Sequence, residues 1–277
     1  MAGAGQATKI SKAPMPNKID LINISAMRSG SAVAQYAWQD QLTPAEHASL
    51  DKVADLARDK PLLDIGVGGG RTVNALLAVS QDYLGIDNSP EMLAACRLRY
   101  PGVCFAHADA RQLSDIADAS IFLVMFSCNG IGMVSHDDRL KILAEIYRVL
   151  QPDGVFLFST HNQNCPDHTA GFQFPEFEFS TNPARLAVRS ARFLRSTLLR
   201  VRNRYRFAQH VVRTPEFSMI NDMCHDYGVM LYYISLINQR RQIEALGFKA
   251  DAVAYDSIGN VIVNDSVESS IAFIARK

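Results

Sequence analysis

Four glycines between positions 66 and 70 constrain this chain more than any other feature. The apolar residues Leu62, Leu63 and Ile65 before them are typical of a buried strand, and the pattern from Arg71 to Ser80 is helical. Glycine has no Cβ, so the backbone can turn tightly there and a ligand can approach it closely. A strand, a glycine turn and a helix start together predict a nucleotide-type pocket at the carboxyl end of a parallel sheet. A plain tight turn is the alternative.

The spacing of these glycines disfavours the dinucleotide-binding fingerprint G-x-G-x-x-G, which would need glycine at position 71. That position is Arg71, and the sequence is instead Asp64-x-Gly66-x-Gly68-x-Gly70, with a carboxylate before the first glycine. This pattern resembles motif I of the class I S-adenosylmethionine-dependent methyltransferases. Arg71 therefore also disfavours a nicotinamide-dependent oxidoreductase.

Two later segments extend the resemblance over about residues 45–160. Asp87 ends a predicted strand 21 residues after Gly66, where a carboxylate can hold ribose hydroxyls. A helix is expected directly after it, with Ser89 as N-cap and Pro90 at the first helical position. Asp109, in the segment 105–110, resembles the third motif of the family, and the resemblance places this acid near the adenine amino group.

The resemblance implies S-adenosylmethionine as the cofactor. The residues expected to bind it are Asp64, Gly66, Val67, Gly68, Gly70, Arg71, Asp87, Asn88, Met92, Asp109, Ala110, Phe126 and Ser127.

Strands and helices alternate through the first part of the chain, which predicts an α/β fold with right-handed crossovers. The predicted strands are 61–66, 82–87, 102–107, 119–126 and 155–160, and the predicted helices are 70–80, 90–99 and 137–150. A helix over 235–246 and strands near 250–255 and 269–275 follow, and by resemblance the last strand is antiparallel. We therefore expect a doubly wound, mostly parallel, seven-stranded Rossmann-like sheet with an insertion after the fifth strand.

Two segments lie outside this alternation. Residues 1–40 form an N-terminal extension, partly disordered, in which 19–24 reads as a short strand or a helix start. Its aromatics Tyr36 and Trp38 would either close over the cofactor or anchor a helix by packing. Residues 41–277 form the methyltransferase domain, and about 162–234 is its insertion. Insertions at the carboxyl ends of strands lie over the ligand cleft, so this one is expected to be a lid or substrate-recognition module.

The insertion has two distinct parts. Residues 171–179 alternate aromatic and polar side chains, as in an extended hairpin. Residues 184–207 contain eight arginines but no acid and no lysine. These arginines could form a solvated face balanced by Glu176 and Glu178, bind an anionic substrate group, or contact lipid headgroups. The position of the insertion over the cleft favours the substrate hypothesis over the membrane hypothesis.

Catalytic residues are weakly marked, because the cofactor supplies the activation in methyl transfer. His161 ends the fifth strand and is the candidate general base; a histidine hydrogen-bonded at a strand end is the alternative. The segment after the fourth strand lacks the N/D-P-P-Y/F signature of enzymes that methylate DNA bases or protein amides. The candidate substrate-binding residues are Tyr36, Asn129, His161, Tyr232 and Tyr233.

The composition sets further limits. Lys plus Arg equals Asp plus Glu, 28 each, so no nucleic-acid partner is expected, although peripheral membrane contact through the arginines stays open. The five cysteines are odd in number and form no C-x-x-C pair, which predicts reduced thiols in the cytoplasm and no metal site.

The sequence thus predicts a methyltransferase that acts on N or O of a small molecule. The alternatives are a methyltransferase docked on an anionic membrane or carrier, and a cofactor-binding protein without catalysis. The substrate, the acceptor atom and the oligomeric state are not specified by these patterns.

Overall fold

The computed structural model describes residues 17–28, 40–169 and 171–277. The first described element is helix α1 (Lys18–Met27), so the segment 19–24 is helical rather than a strand. Asn17 caps this helix by accepting a hydrogen bond from the Asp20 backbone N–H, and the Asp20 carboxylate accepts in return from the Asn17 N–H. Tyr36 and Trp38 lie outside the described residues, and their predicted roles stay predictions.

The centre of the fold is a parallel sheet, as the alternating pattern predicts. Strands β3, β2, β1, β4 and β5 lie side by side in that order, each parallel to its neighbours. Their bounds are β1 (Leu62–Ile65), β2 (Tyr83–Asp87), β3 (Phe105–His107), β4 (Ile121–Phe126) and β5 (Leu150–His161). Every residue of β4 is buried, as expected for a central strand that is covered on both faces. The predicted Rossmann-like α/β class is confirmed.

The remaining strands bring the sheet to eleven among the described residues, more than the seven predicted. The terminal pair is β9 (Val253–Tyr255) and β11 (Ser270–Arg276), and β11 runs antiparallel to β5 as the resemblance implied. The additional strands are β6 (Val212–Arg213), β7 (Ser218–Asp222), β8 (Val229–Tyr233) and β10 (Val261–Ile262). Three of the four belong to the insertion, where each strand is too short for an alternating sequence pattern to reveal it.

Helices cover both faces of the sheet. The helices after α1 are α2 (Pro44–Ala57), α3 (Val73–Val79), α4 (Pro90–Arg99), α5 (His136–Val149), α6 (Pro183–Phe207) and α7 (Leu236–Glu244), of which α6 belongs to the insertion and covers neither face. One face packs against α5 and α7 through residues such as Ile146 and Ile243, and the other packs against α2, α3 and α4 through residues such as Val53 and Leu93. Among the helices of the described segments, none combines the length and the apolar character needed to cross a membrane.

Two local predictions need correction. Strand β5 begins at Leu150 rather than at Val155, because its pairing with β4 resumes across an irregularity in which Asp153 takes a left-handed φ of 61°. The segment 171–179 forms no hairpin. Side chains take the place of a partner strand there: the Tyr227 hydroxyl accepts from the Gln173 backbone N–H, and Arg200 donates to the Gln173 carbonyl.

The insertion folds back onto the carboxyl end of β5. Strands β7 and β8 form an antiparallel hairpin, and β8 continues the sheet through the parallel pair His161 and Tyr233. Helix α1 lies on this hairpin. The Asn23 amide donates to the carbonyls of Met133 and Met230 at 2.7 and 2.8 Å, and its oxygen accepts from the Met230 N–H at 2.8 Å. The chain therefore covers the edge of its own sheet with a segment that precedes the sheet.

Asn23 is the side chain that fixes this cover. Asn23→Ala would leave the buried Met230 N–H and two carbonyls without a partner, and we expect a loss of about 1–3 kcal/mol in the free energy of unfolding. Urea denaturation measures the loss, and faster amide exchange confined to α1 would show that the helix detaches before global unfolding. Leu21→Ala, at an exposed position of the same helix, is the control and should change stability by less than about 0.5 kcal/mol. Equal stability of both variants would contradict the prediction.

Candidate active site

A cavity of about 360 Å³ opens at the carboxyl ends of β1, β2 and β4. The loops after these strands and the loop after β3 form its floor. Helix α1, the turn Cys224–Tyr227 and strand β8 form the opposite wall. The cavity therefore lies between the parallel sheet on one side and helix α1 and the insertion on the other. The sequence pattern places both of these segments outside the alternating strands and helices of the core.

The glycine loop serves two different purposes. Gly68 has a φ of 55° and lines the cavity, and a Cβ there would have only the Gly66 carbonyl oxygen, at 3.9 Å, near it, so a ligand can approach the backbone. Gly70 does not line the cavity. A Cβ at that position would lie 2.5 Å from the Tyr100 ring and 2.9 Å from the Cys96 sulfur, so Gly70 allows α4 to pack closely against the loop. The structure therefore supports a packing role for Gly70 rather than the predicted place in the cavity wall.

Asp64 also lies away from the cavity. Its carboxylate is fully buried beneath the loop, where it accepts hydrogen bonds from the Thr72 and Tyr83 hydroxyls. Burial raises the pKa of Asp64 to about 7, although these two hydrogen bonds act in the opposite direction. Asp64 therefore joins the end of β1 to the start of α3 and to β2, and positions the glycine loop rather than touching its ligand.

Asp87 occupies the position expected from the motif spacing. Its carboxylate accepts from the Gly68 N–H at 2.9 Å and from the Ser89 N–H at 2.8 Å, and it lines the cavity. Burial raises the pKa of this carboxyl, and the backbone hydrogen bonds oppose the rise. The predicted residues Gly66, Val67, Asn88, Met92, Ala110, Phe126 and Ser127 line the same cavity.

Asp109 lines the cavity within an ion cluster that sequence reasoning missed. The Arg111 guanidinium donates to both oxygens of Asp109, at 2.5 to 3.1 Å, to Asp138 at 3.0 Å and to Asp20 of α1. The hydrogen bonds to Asp109 are the main reason that the pKa of Arg111 is raised, and burial raises the pKa of Asp20 despite the nearby guanidinium. The cluster ties α1, the β3 loop and α5 into one wall. Asp20 and Arg111 are 91 positions apart, so no local pattern could have paired them.

A second buried pair was also missed. Arg71, a predicted cofactor residue, lines the cavity, but both of its terminal nitrogens donate to Glu46 of α2, at 2.6 and 2.7 Å. Glu46 accepts in addition from the Cys128 N–H at 3.0 Å. Burial alone would raise the pKa of Glu46, but the hydrogen bonds and charge of Arg71 hold it below its ordinary value. This pair sets the distance between the glycine loop and the loop after β4.

The loop after β4 is held in an unusual backbone conformation. Cys128 and Asn129 both have a left-handed φ, 53° and 56°, which for residues other than glycine costs on the order of 1 kcal/mol or more each. The Asn129 N–H donates to the Ser159 hydroxyl at 2.8 Å, and the Asn129 side-chain oxygen accepts from the Ser270 hydroxyl at 2.8 Å. Among the described residues no hydrogen bond occupies the amide nitrogen of Asn129, and the residue lines the cavity; its predicted contact with the substrate stays a prediction.

His161 lines the cavity at the end of β5. Its ring stacks on Tyr233 with 4.9 Å between centroids, and among the described residues no hydrogen bond reaches either ring nitrogen. Burial lowers the pKa of His161 to about 4; the nearby Asp222 opposes this shift and Arg139 adds to it. The imidazole is therefore neutral at pH 7, with a nitrogen lone pair that no described group occupies. This arrangement differs from the alternative of a hydrogen-bonded strand-end histidine.

Two tyrosines predicted to touch the substrate do not line the cavity. Tyr232 is fully buried on the other face of β8, where its hydroxyl meets the His136 ring at 2.9 Å. The Tyr233 hydroxyl donates to Asp222 at 2.5 Å, and its ring supports His161 from behind. Successive residues of a strand point to opposite faces, and a run of two tyrosines does not show which face meets the ligand. The insertion instead contributes Cys224, His225, Val229 and Leu231 to the wall.

The arginines of the insertion are likewise absent from the cavity wall, as far as the described residues define it. All five cysteines fall within the described segments and are free. No group of three or more His, Cys, Asp or Glu side chains in these segments could hold a metal ion.

Residues 62–154 match a family model described as a methyltransferase domain. Residues 62–154 therefore form a methyltransferase domain. The family predicted from the glycine motif is thereby confirmed, and the cofactor of this family is S-adenosylmethionine. A ligand can approach the backbone of Gly68 closely, and the carboxylate of Asp87 lines the cavity. Both features fit that cofactor.

Three known proteins illustrate the relationship. A probable S-adenosylmethionine-dependent methyltransferase of Mycolicibacterium smegmatis is 30% identical over 113 residues, which are 40% of this chain and 42% of that protein. The demethylmenaquinone methyltransferase of Chlorobaculum parvum is 32% identical over 98 residues, 35% of this chain and 39% of that protein. The chain thus spans about two fifths of the length of these relatives.

The third is a solved structure, the 1,6-didemethyltoxoflavin-N1-methyltransferase of Burkholderia thailandensis. It superimposes with a TM-score of 0.55 at 16% identity and covers 96% of this chain and 93% of its own. At this identity the similarity concerns the fold alone. The family model ends at residue 154, so the insertion, which contains helix α6, lies outside the matched region.

Asp87 provides the direct test of the cofactor site. Asp87→Ala removes the carboxylate expected to accept from the ribose hydroxyls, and a lost charge-assisted hydrogen bond of about 1.5–3 kcal/mol corresponds to roughly 10- to 150-fold weaker binding. Isothermal titration with S-adenosylhomocysteine measures the dissociation constant. Asp82→Ala, at an exposed position before the same strand, is the matched control and should bind normally. An unchanged dissociation constant in a folded Asp87→Ala protein would remove Asp87 from the site.

Proposed function

We propose that this protein transfers the methyl group of S-adenosylmethionine to a nitrogen or oxygen atom of a small molecule. One observation carries the proposal: a single cavity extends from Asp87 and Gly68, at the glycine loop, to Asn129 and His161, at the end of β5. Its volume of about 360 Å³ is in the range of small-molecule sites. The cover formed by α1 and β8 favours a small acceptor over a macromolecular one.

Methyl transfer from a sulfonium is an in-line displacement, and the bound cofactor supplies the activated methyl group. The protein has to position the acceptor and exclude water. The ion cluster of Arg111 and the pair Glu46–Arg71 fix the walls, and apolar residues such as Leu231 and Val229 keep the far side dry. The acceptor atom would lie between Asn129 and His161, at the carboxyl ends of β4 and β5.

His161 is the group that would handle the proton. Its neutral imidazole can accept a hydrogen bond from the O–H or N–H of the acceptor, and it can take the proton as the acceptor atom attacks the methyl group. Rotation is limited by the stacked ring of Tyr233, so the accepting nitrogen is held in place. An acceptor that is already neutral and basic would not need this step.

An anionic substrate held by the arginine segment is not part of the proposal, because α6 contributes no arginine to the cavity wall described above. A cytoplasmic location stays a prediction from the five thiols. If the cofactor binds but no methylated product is found, a cofactor-binding protein without catalysis becomes the favoured interpretation.

A labelled-methyl experiment tests the proposal. The full-length protein is incubated with S-adenosylmethionine carrying a labelled methyl group and with a cell extract separated by size into small-molecule and macromolecular fractions. We expect label to enter the small-molecule fraction, with the product identified by mass analysis, and an Asp87→Ala protein to give much less of that product at the same low cofactor concentration. Label entering only the macromolecular fraction, or none in either fraction despite cofactor binding, would overturn the proposal.

With the acceptor identified, His161→Ala tests the proton transfer. We expect kcat to fall about 10²–10⁴-fold, and nearer the lower value, because a base with a pKa of about 4 has a small driving force for proton transfer. Cofactor affinity should stay nearly unchanged, since the ring lies at the acceptor end of the cavity. His47→Ala, on the exposed side of α2, is the control. Retention of most of the activity would show that positioning alone is sufficient.

The pH profile gives an independent test. The base works as neutral imidazole, and the folded-state pKa of about 4 lies below the ordinary 6.5. The His161-dependent activity is therefore present above about pH 5 and lost only as the pH falls through 4. We expect the pH profiles of kcat/KM for the wild type and for His161→Ala to have the same shape near pH 6.5. An inflection there should not appear in the wild type alone. Such an inflection would mean that the imidazole titrates normally and is better solvated than the structure shows.

A further inference from the structure

Helix α6 presents an apolar surface away from the protein. Within α6, all 25 residues of which are described, Phe207 alone is buried. Leu194, Leu198, Val201 and Tyr205 follow one another at alternating spacings of four and three residues, which puts them on one helical face. Their exposed fractions are 61%, 71%, 53% and 88%. We call these four residues the outer stripe. A surface helix normally turns its apolar stripe toward the core, so this orientation favours a partner outside the domain.

The charge on α6 defines that partner. The helix carries eight arginines and no acid, and the chain as a whole is neutral, so the remaining residues carry eight net negative charges. Carboxylates of the described residues pair with Arg189, through Glu178 at 2.9 Å, and with Arg200, through Asp226 at 3.0 Å. Of the two acids expected to balance the arginine charges, Glu176 and Glu178, it is Glu178 that pairs with an arginine, Arg189.

Three of the remaining arginines lie beside the outer stripe. Arg195, Arg202 and Arg206 fall along one edge of it at helical spacing, and none of them forms an ion pair with a carboxylate of the described chain. Like charges three or four residues apart on a helix destabilise it unless an opposite charge is near. An anionic surface would remove that repulsion.

We propose that α6 docks on the surface of an anionic phospholipid bilayer. The outer stripe enters the boundary between headgroups and acyl chains, and Arg195, Arg202 and Arg206 contact the lipid phosphates. Leucine and an aromatic residue on one face, with arginines at its edge, are the composition of a helix that lies in the plane of a membrane interface. Basic side chains near an anionic leaflet each strengthen binding.

A second copy of this chain fits the same helix poorly. Two such helices packed through their outer stripes would place arginines opposite arginines, with no acid on either helix to compensate. The charge that opposes a homodimer is the charge that favours an anionic membrane.

The position of α6 in the fold connects this surface to the cavity. Asp226 accepts from Ser196 at 2.5 Å and from Arg200 at 3.0 Å, and its carbonyl accepts from Asn203 at 3.0 Å. Asp226 belongs to the turn whose residues Cys224 and His225 line the cavity. A docked α6 therefore holds one wall of the cavity next to the bilayer.

Vesicle binding tests the proposal with the full-length protein. Cosedimentation is measured with vesicles of phosphatidylcholine alone and with vesicles that also contain phosphatidylglycerol, at low and at high salt. We expect binding to the anionic vesicles only, and weaker binding at high salt because surface charges are screened. Arg195→Gln, Arg202→Gln and Arg206→Gln combined should reduce the affinity about 100-fold, since each basic residue contributes about a factor of five. Leu194→Ser with Leu198→Ser should reduce it at least about tenfold.

Matched variants separate docking from general charge and hydrophobicity. Lys52→Gln, Arg97→Gln and Arg241→Gln combined remove three exposed charges elsewhere, and Leu98→Ser with Ile258→Ser removes two exposed apolar side chains elsewhere; both should bind like the wild type. The proposal is overturned if the wild type ignores anionic vesicles, if it binds neutral vesicles equally, or if the α6 variants match their controls. A concentration-dependent dimer that Leu194→Ser with Leu198→Ser abolishes, without vesicle binding, would assign the outer stripe to a second copy.

Discussion

The contacts of one guanidinium organise the site. Arg111 joins three carboxylates from three elements: Asp20 of α1, Asp109 after β3 and Asp138 of α5. These acids would repel one another without the cation between them, and breaking such a buried cluster by removing one partner costs on the order of 3–5 kcal/mol. The cover of the cavity, its floor and the helix behind it are therefore positioned by the same side chain.

The pair Glu46–Arg71 has a corresponding role on the other side. It sets the glycine loop against the loop after β4, where two residues other than glycine keep a left-handed conformation. Such strain persists only where the surrounding contacts over-determine the backbone. The two arginines thus enclose the cavity from opposite sides, and the groups expected to bind ligands lie between them on loops whose positions are already fixed.

The part of the site that could be predicted from the sequence is the part made by local spacing. The glycines and Asp87 are close in sequence to the strand ends that present them, so their order was enough to place them in one cavity. The partners of Arg111 could not be predicted, because Asp20 reaches it across 91 positions. Asp64 and Gly70 were predicted as ligand contacts because a motif records where residues occur but not which atoms they touch. The hairpin expected at 171–179 does not form. An alternating pattern gives a strand only where a partner strand is present, and here the side chains of Tyr227 and Arg200 form the hydrogen bonds to the backbone instead.

The position of α1 has a kinetic consequence. The helix covers the cavity from a part of the chain that precedes the sheet, and it is held there by Asn23 and Asp20, both buried. Ligands that exchange on this side must wait for these contacts to break, and the waiting time is set by the free energy of detaching one helix rather than by the affinity of the cavity. A tighter cover would slow ligand exchange, so the strength of the few hydrogen bonds that hold α1 would set how fast the cavity can be filled and emptied.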